Sequence, residues 1–163
     1  MSIRPCRDDE REAILAIVNA AADAYRGVIP ADCWHEPYMP ATELAGEIEA
    51  GVVFWGYDDD GELVGVMGIQ DVGDVDLIRH AYVLPDRQRH GIGAALLAEL
   101  AGSTARRMLV GTWAAAEWAI DFYRRHSFEL VSRERTAELL RKYWSIPDRQ
   151  IETSVVLELV HDG

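Results

Sequence analysis

Apolar residues recur along the chain with two periods, one typical of strands and one typical of helices. Alternation and runs of β-branched or aromatic residues predict strands at 3–6, 52–57, 63–69, 75–83, 108–112, 128–131 and 150–159. Helical spacing and strong helix formers predict helices around 14–21, 42–50, 94–101, 117–125 and 134–143. Asp8 or Asp9 is expected to cap the first helix. This mixed order predicts an α+β fold around a central sheet.

The length and composition are those of one catalytic-sized domain. With 163 residues, 49% of them hydrophobic, the chain can bury a substantial core. No repeat, linker or low-complexity tract divides it, so we expect a single domain over 1–163. No apolar run reaches membrane-spanning length, the first residues lack a signal-peptide core, and there are only two cysteines. We therefore expect a cytoplasmic protein that binds no membrane.

The charge of the chain narrows the choice of partner. A formal net charge of −12 argues against nucleic-acid binding, which needs a basic face. It is compatible with a cationic acceptor such as an amine.

A glycine-containing turn between a predicted strand and a predicted helix carries the first candidate chemistry. Gly91 and Gly93 let the backbone turn sharply and leave no side chains over the start of the helix. Free backbone N–H groups and the positive end of the helix macrodipole then face outward together. Arg87, Arg89 and His90 add cationic or potentially cationic donors beside them. The turn therefore predicts a site for a phosphate or pyrophosphate.

Three kinds of phosphate-binding turn compete for this stretch. A P-loop requires Gly-Lys-Ser/Thr, but two alanines follow Gly93. A dinucleotide-binding turn requires a third glycine, where Leu96 stands, and an acidic residue about 20 positions further on, which is absent. What remains is Gln88-x-x-Gly91-x-Gly93 after a strand. It resembles the acyl-CoA-binding signature of the GNAT acetyltransferases, Gln/Arg-x-x-Gly-x-Gly/Ala.

The resemblance implies a GNAT-like fold, with a central, mostly antiparallel mixed sheet flanked by helices and an added helical excursion before the last strand. It also implies acetyl-CoA as co-substrate and no metal. A backbone N–H around Tyr82 and Val83 is expected to polarise the thioester carbonyl. The other cofactor-binding residues that it implies are Gln88, Arg89, His90, Gly91, Ile92, Gly93 and Ala94. The arginine pairs at 106–107 and 124–125 are further candidates for the ribose phosphate.

A second motif follows in residues 119–128. It resembles the GNAT motif Ala-x-x-Phe-Tyr-x-x-x-Gly-Phe, whose tyrosine commonly protonates the departing CoA thiolate. The resemblance assigns this role to Tyr123. For Trp118 and Phe122, four residues apart on one helix face, packing in the core is favoured. Ser127 stands at the glycine of the motif and is expected to alter the turn.

The general base is not identified by any motif. Gly111 stands where some GNAT members have a carboxylate base, and Ala116 stands where many have an asparagine that helps hold the cofactor. Residues able to take a proton from an amine are Glu36, Asp76 and His80. An ordinary surface or sheet position explains each of these three equally well.

The segment from Trp34 to Tyr38 is a candidate wall for an acceptor pocket. Trp34 and Tyr38 beside the carboxylate of Glu36 can hold a cation by charge pairing and cation–π contact. A proline-rich connector that covers the core explains the segment equally well. Cys33-x-His35 lacks a second pair of ligands at zinc-like spacing, so we expect no metal.

Two functions stay open at this point. The first is an N-acetyltransferase that moves an acetyl group from acetyl-CoA to a primary amine of a small molecule or protein by direct attack. The second is a noncatalytic acyl-CoA-binding or sensing domain. Tyr123 favours the enzyme, because a pure binder needs no proton donor. A homodimer is also left open.

Overall fold

A computed structural model describes residues 1–160 as seven strands and six α-helices joined by short turns. The strands are β1 (Ser2–Pro5), β2 (Val52–Asp59), β3 (Glu62–Asp71), β4 (Val75–Val83), β5 (Arg107–Trp113), β6 (Phe128–Leu130) and β7 (Ser154–Leu159). The helices are α1 (Arg11–Ala22), α2 (Ala41–Glu49), α3 (Ile92–Gly102), α4 (Glu117–Arg125), α5 (Arg133–Tyr143) and α6 (Asp148–Glu152).

All seven strands form one sheet in the order β1-β2-β3-β4-β5-β7-β6. Only β4 and β5 run parallel to each other, and the remaining neighbours are antiparallel. The crossover between β4 and β5 contains α3, as a parallel connection requires. The expected α+β fold with a mixed, mostly antiparallel sheet is confirmed.

The two parallel strands separate part-way along their length. Residues 75–78 of β4 pair with 107–110 of β5, and the pairing then stops. Beyond this point β4 continues beside β3 with a bulge, because Gly68 pairs with Arg79 while Val66 pairs with Tyr82. The bulge contains His80, whose φ of 56° lies in the left-handed region. The separation leaves the edge of β4 that faces β5 without a partner strand from Arg79 onward.

Helices cover both faces of the sheet. Helix α3 and the apolar side of α4 pack on one face, in a core that contains Leu96, Leu100 and Tyr123. On the other face, α1 and α2 pack over β2 and β3, and α5 and α6 pack over β4, β5 and β7. A fourth, aromatic cluster lies where β4 and β5 separate. Within residues 1–160, no helix has the length and apolar character needed to cross a membrane.

Two expectations about local structure are wrong. The strand expected over 150–159 begins only at Ser154, since Pro147 starts α6 and its carbonyl accepts from the backbone N–H of Gln150 at 2.9 Å. Neither Asp8 nor Asp9 caps α1, because a 3₁₀ turn over Asp8–Glu10 precedes the helix.

Candidate active site

The loop before α3 presents a row of free backbone donors. Arg89 and Gly91 both have positive φ values, 69° and 77°. These two left-handed residues change the direction of the chain just before α3 begins at Ile92. The backbone N–H groups of residues 88–94 donate no hydrogen bond to any group in the part of the chain that the structure describes. The first bond of the helix runs from the N–H of Ala95 to the carbonyl of Gly91 at 3.0 Å. Seven consecutive N–H groups are therefore open to an anionic ligand.

A cavity of about 630 Å³ lies next to this row of donors. Its walls come from the loop before α3, the separated end of β4, the end of α1 and one side of α4. The volume falls within the roughly 300–1,000 Å³ that is usual for ligand sites. Eight of the nine cofactor-binding residues expected from the sequence line this cavity: Tyr82, Val83, Gln88, Arg89, Gly91, Ile92, Gly93 and Ala94. The ninth, His90, lies on the exposed part of the loop.

Tyr123 lies in the wall of the same cavity. Its side chain is buried, with the ring edge-to-face against Phe122 and Phe128 at centroid distances of 5.1 and 5.5 Å. The hydroxyl makes no hydrogen bond within residues 1–160, yet it is not sealed from the cavity. Burial raises the pKa of Tyr123 above its ordinary value. The phenol is therefore neutral and able to donate at neutral pH.

The prediction of core packing is wrong for Trp118. Its side chain is 46% exposed and lies in the cavity wall, stacked on Tyr25 with a centroid distance of 5.8 Å. Phe122 packs against the core and also reaches the cavity, where a Cβ on Gly93 would lie 3.4 Å from its ring. Helix spacing alone could not separate a core-facing row from a cavity-facing row one step around the same helix.

A second cavity, of about 120 Å³, lies on the opposite side of the opening between β4 and β5. Tyr25 and Tyr82 line both cavities, so the two meet at these rings. Tyr38 packs against Tyr25 with a centroid distance of 5.6 Å, and its hydroxyl accepts from Nε1 of Trp113 at 2.9 Å. Burial raises the pKa of Tyr38 to about 12 and raises that of Tyr25 and Tyr82 as well. Sequence analysis missed Tyr25, which belongs to no motif.

The expected acceptor wall is only partly assembled. Tyr38 lines the smaller cavity, whereas Trp34 and Glu36 line neither cavity. Trp34 packs on Tyr38 at 5.7 Å between ring centroids. Glu36 is exposed and paired with Arg26, so its carboxylate is held away from the site.

The other two candidate bases have different positions. Asp76 is buried at the far end of β4, where Oδ1 accepts from Arg106 at 3.0 Å, and it lines neither cavity. His80 lines the smaller cavity, and its Nε2 lies 2.9 Å from Oε2 of Glu47. Of the candidates Glu36, Asp76 and His80, only His80 therefore reaches the site.

The arginines considered for the ribose phosphate also differ in whether they reach the site. Arg106 pairs with Asp71 and Asp76, and Arg107 pairs with Glu158, so both are engaged elsewhere. Arg125 lines the larger cavity.

Comparison with known proteins identifies this arrangement. The model of the acetyltransferase (GNAT) domain matches residues 50–130, a stretch that runs from β2 through the loop before α3 to β6. This chain belongs to the GNAT family of acetyltransferases. Its activity class is therefore acyl transfer.

Solved structures with the same fold come from several organisms. The PaiA N-acetyltransferase of Thermoplasma acidophilum, solved with coenzyme A, is 16% identical with a TM-score of 0.71, covering 99% of this chain and 100% of its own. The ribosomal-protein-S18-alanine N-acetyltransferase of Escherichia coli is 19% identical with a TM-score of 0.69, over 97% and 92%. Rv2747 of Mycobacterium tuberculosis, solved with CoA, is 22% identical with a TM-score of 0.66, over 99% of both chains.

The departures of this GNAT chain from the family motifs have physical explanations. A Cβ on Gly111 would lie 3.3 Å from the ring of Trp144, so the place of a side chain at this position is filled by the indole. Ala116 is fully buried immediately before α4. Ser127 adopts a φ of 71°, the left-handed conformation that glycine favours and that is costly for a residue with a Cβ.

Proposed function

We propose that this GNAT domain is an N-acetyltransferase that moves the acetyl group of acetyl-CoA to a primary amine. The observation that carries the proposal is the row of seven free N–H groups at residues 88–94, opening on a 630 Å³ cavity that also contains the Tyr123 hydroxyl. Such a row of backbone donors suits a pyrophosphate. The CoA complexes of the PaiA enzyme and of Rv2747 support CoA as the ligand of this cavity.

In the proposed reaction, the pyrophosphate and the thioester of acetyl-CoA lie at opposite ends of the larger cavity. The pyrophosphate lies against the donors before α3, and the thioester lies between Tyr123 and the unpaired edge of β4. A backbone N–H near Tyr82 and Val83 polarises the thioester carbonyl, as an oxyanion donor does. The amine attacks the carbonyl carbon, the C–S bond breaks, and the Tyr123 hydroxyl protonates the sulfur. The continuous sheet supports the expectation that residues 1–163 act as one acyltransferase domain.

A noncatalytic acyl-CoA-binding domain is the alternative. It is favoured by Gly111, where the ring of Trp144 occupies the place at which some family members have a carboxylate base. An enzyme and a binder differ in turnover, because only the enzyme releases thiol in proportion to the amine supplied.

A thiol-release assay distinguishes these two functions. Purified protein is mixed with acetyl-CoA and each member of a panel of primary amines, and free CoA is followed with time. The proposal predicts amine-dependent release with multiple turnovers, and mass spectrometry should find the acetylated amine. Tight CoA binding without amine-dependent release by any member of the panel would establish the binding domain instead.

A further inference from the structure

The smaller cavity and the histidine in its wall point to the acceptor half of the reaction. We propose that this cavity binds a short, unbranched primary alkylammonium ion, and that His80, held by Glu47, takes its proton. The inference rests on the proposed acetyl transfer and adds the acceptor class and the general base to it.

The backbone of β4 places His80 at the opening between the strands. The residue occupies a bulge and has a φ of 56°, a conformation that costs free energy for any residue with a Cβ. In a regular strand, successive side chains alternate between the two faces of the sheet. The extra residue of the bulge interrupts this alternation and redirects the local side chains. The imidazole consequently lines the smaller cavity.

The ring of His80 is held in one orientation. Nε2 lies 2.9 Å from Oε2 of Glu47, and the ring stacks on Phe54 with 6.0 Å between centroids. Burial alone would raise the pKa of Glu47, but the hydrogen bond from His80 and the positive charge of Arg79 lower it. An ionised Glu47 accepts from Nε2–H, which leaves the lone pair on Nδ1. Nδ1 makes no hydrogen bond to residues 1–160 and is not sealed from solvent.

Four titratable or charged side chains lie around His80, and they come from α2, β4 and the segment before α2. Helix α2 contributes Glu43 and Glu47, β4 contributes Arg79, and His35 lies near Glu43. Arg79 is bound by Glu47 at 3.2 Å and by Gln70 at 3.1 Å, so it does not confront an incoming cation. The remaining titratable groups of the cavity are the phenols of Tyr25, Tyr38 and Tyr82.

The walls of the cavity fit an ammonium group on a thin chain. Aromatic faces attract a cation through the ring quadrupole. At about 120 Å³ this cavity is much smaller than the larger cavity of about 630 Å³, so it admits a short, thin chain beside the acceptor nitrogen. The five aromatic residues of the wall are Tyr25, Tyr38, Tyr82, Trp113 and Trp144. Since Tyr25 and Tyr82 also line the larger cavity, the nitrogen lies next to the thioester.

The protons balance in this scheme. Nδ1 of His80 takes one proton from R–NH₃⁺ and passes it to water. The neutral amine forms the C–N bond, and the C–S bond breaks with its electron pair on sulfur. Tyr123 protonates the thiolate, and the surplus proton of the new amide nitrogen returns to the Tyr123 oxygen through water. The net products are the N-alkylacetamide, CoA and one proton.

The test uses His80→Gly with n-propylamine as acceptor. Glycine suits the positive φ and leaves a space the size of an imidazole, so the fold is retained. We expect kcat/KM for n-propylamine to fall about 10²–10⁴-fold at pH 7. The loss should shrink as the pH rises above about 10.4, the ordinary pKa of an alkylammonium group, because the neutral amine then predominates in solution. Added imidazole should restore part of the rate of His80→Gly and should leave the wild-type rate unchanged.

Binding measurements separate this inference from the proposed function. Titration of the wild type with n-propylammonium alone should shift the indole NMR signals of Trp113 and Trp144. His80→Gly should bind CoA with wild-type affinity by calorimetry. Wild-type kcat/KM in His80→Gly, an equal loss at all pH values without imidazole rescue, or no transfer to n-propylamine would overturn the inference while acetyl transfer to another amine stands. Failure of the wild type to bind CoA would overturn the proposed function itself.

Discussion

Tyr123 has two properties that are rarely combined in one side chain. The ring is only 5% exposed and packed among aromatic residues, but its hydroxyl reaches the larger cavity without a hydrogen-bond partner in the described chain. Desolvation disfavours the phenolate and so raises the pKa. Because the pKa is raised, the Tyr123 phenol stays protonated at pH values where free tyrosine is already ionised. Any loss of activity caused by its deprotonation should therefore occur above about pH 10.

Replacing Tyr123 by phenylalanine tests this role. The ring and its packing are kept, so CoA affinity should stay close to the wild-type value. If the chemical step limits turnover, kcat should fall about 10²–10⁴-fold. Steady-state kinetics with saturating acetyl-CoA measure the change, and Tyr57→Phe, whose ring lines neither cavity, is the control. A wild-type kcat would leave Tyr123 as a residue of the core only.

At the residue scale, short motifs predicted which residues line the larger cavity, whereas the chemical type of a side chain alone did not. The turn from Gln88 to Ala94 and the position of Tyr123 were predictable, because local backbone chemistry and short motifs specify them. The sequence could not separate Glu36 from the other candidate bases, since its pairing with Arg26 arises only in the folded chain. Tyr25 was not found because its place between the two cavities depends on where α1 ends against β4.

At the scale of elements, the bulge in β4 shapes the opening between β4 and β5, where the proposed acceptor cavity lies. The bulge begins beside Gly68 of β3, which pairs with Arg79. An added Cβ on Gly68 would lie 2.9 Å from the carbonyl oxygen of Arg79 and 2.9 Å from Val52. Glycine at this position therefore allows the two strands to approach closely enough to form the bulge.

Gly68→Ala should disturb the bulge while leaving the row of backbone donors at residues 88–94 in place. Overpacking predicts a loss of about 1–3 kcal/mol in the free energy of unfolding. The displaced strand should lower kcat/KM for the amine, while CoA affinity stays the same. Chemical denaturation and steady-state kinetics measure the two effects. Gly46→Ala on α2, where a Cβ meets open space, should instead be neutral or stabilising; equal behaviour of the two variants would contradict this account.

Element boundaries were predictable where the apolar period is unambiguous. Strand β4 and helix α4 have the predicted limits, 75–83 and 117–125. Helix α6 was misassigned because residues 150–152 also fit the alternation of the strand that follows. Pro147 decides the outcome, and Ile151 is buried in the core as it would be in either conformation.

At the scale of the whole molecule, charged pairs anchor the first strand. Arg4 on β1 binds Glu10 through two hydrogen bonds, at 2.8 and 2.9 Å, and binds Asp58 on β2 at 3.0 Å. The Arg4 guanidinium lowers the pKa of Glu10 to about 2. A folded-state pKa below the unfolded value of about 4.3 means that this contribution is present above that pH and is lost as the pH falls toward 2.

Glu10→Gln should therefore destabilise the protein in a pH-dependent way. At pH 7 we expect a loss of about 1.5–3 kcal/mol, the range for hydrogen bonds to charged groups. The difference from the wild type should vanish as the pH approaches 2. Thermal or urea unfolding across this range measures it, with the exposed Glu12→Gln as control. A difference that is independent of pH would show that the charge of Glu10 is not what stabilises the fold.

The central claim is that CoA binds in the larger cavity. The separation of β4 and β5 forms one side of this cavity, and the loop before α3 supplies free backbone N–H donors on the other. The most direct test is calorimetric titration of CoA into Gly91→Val and Gly73→Val. Both glycines have positive φ with open space around the Cβ position, but only Gly91 belongs to the donor row. We predict that Gly91→Val loses CoA affinity while Gly73→Val retains it. Equal CoA affinity in the two folded variants would contradict the account.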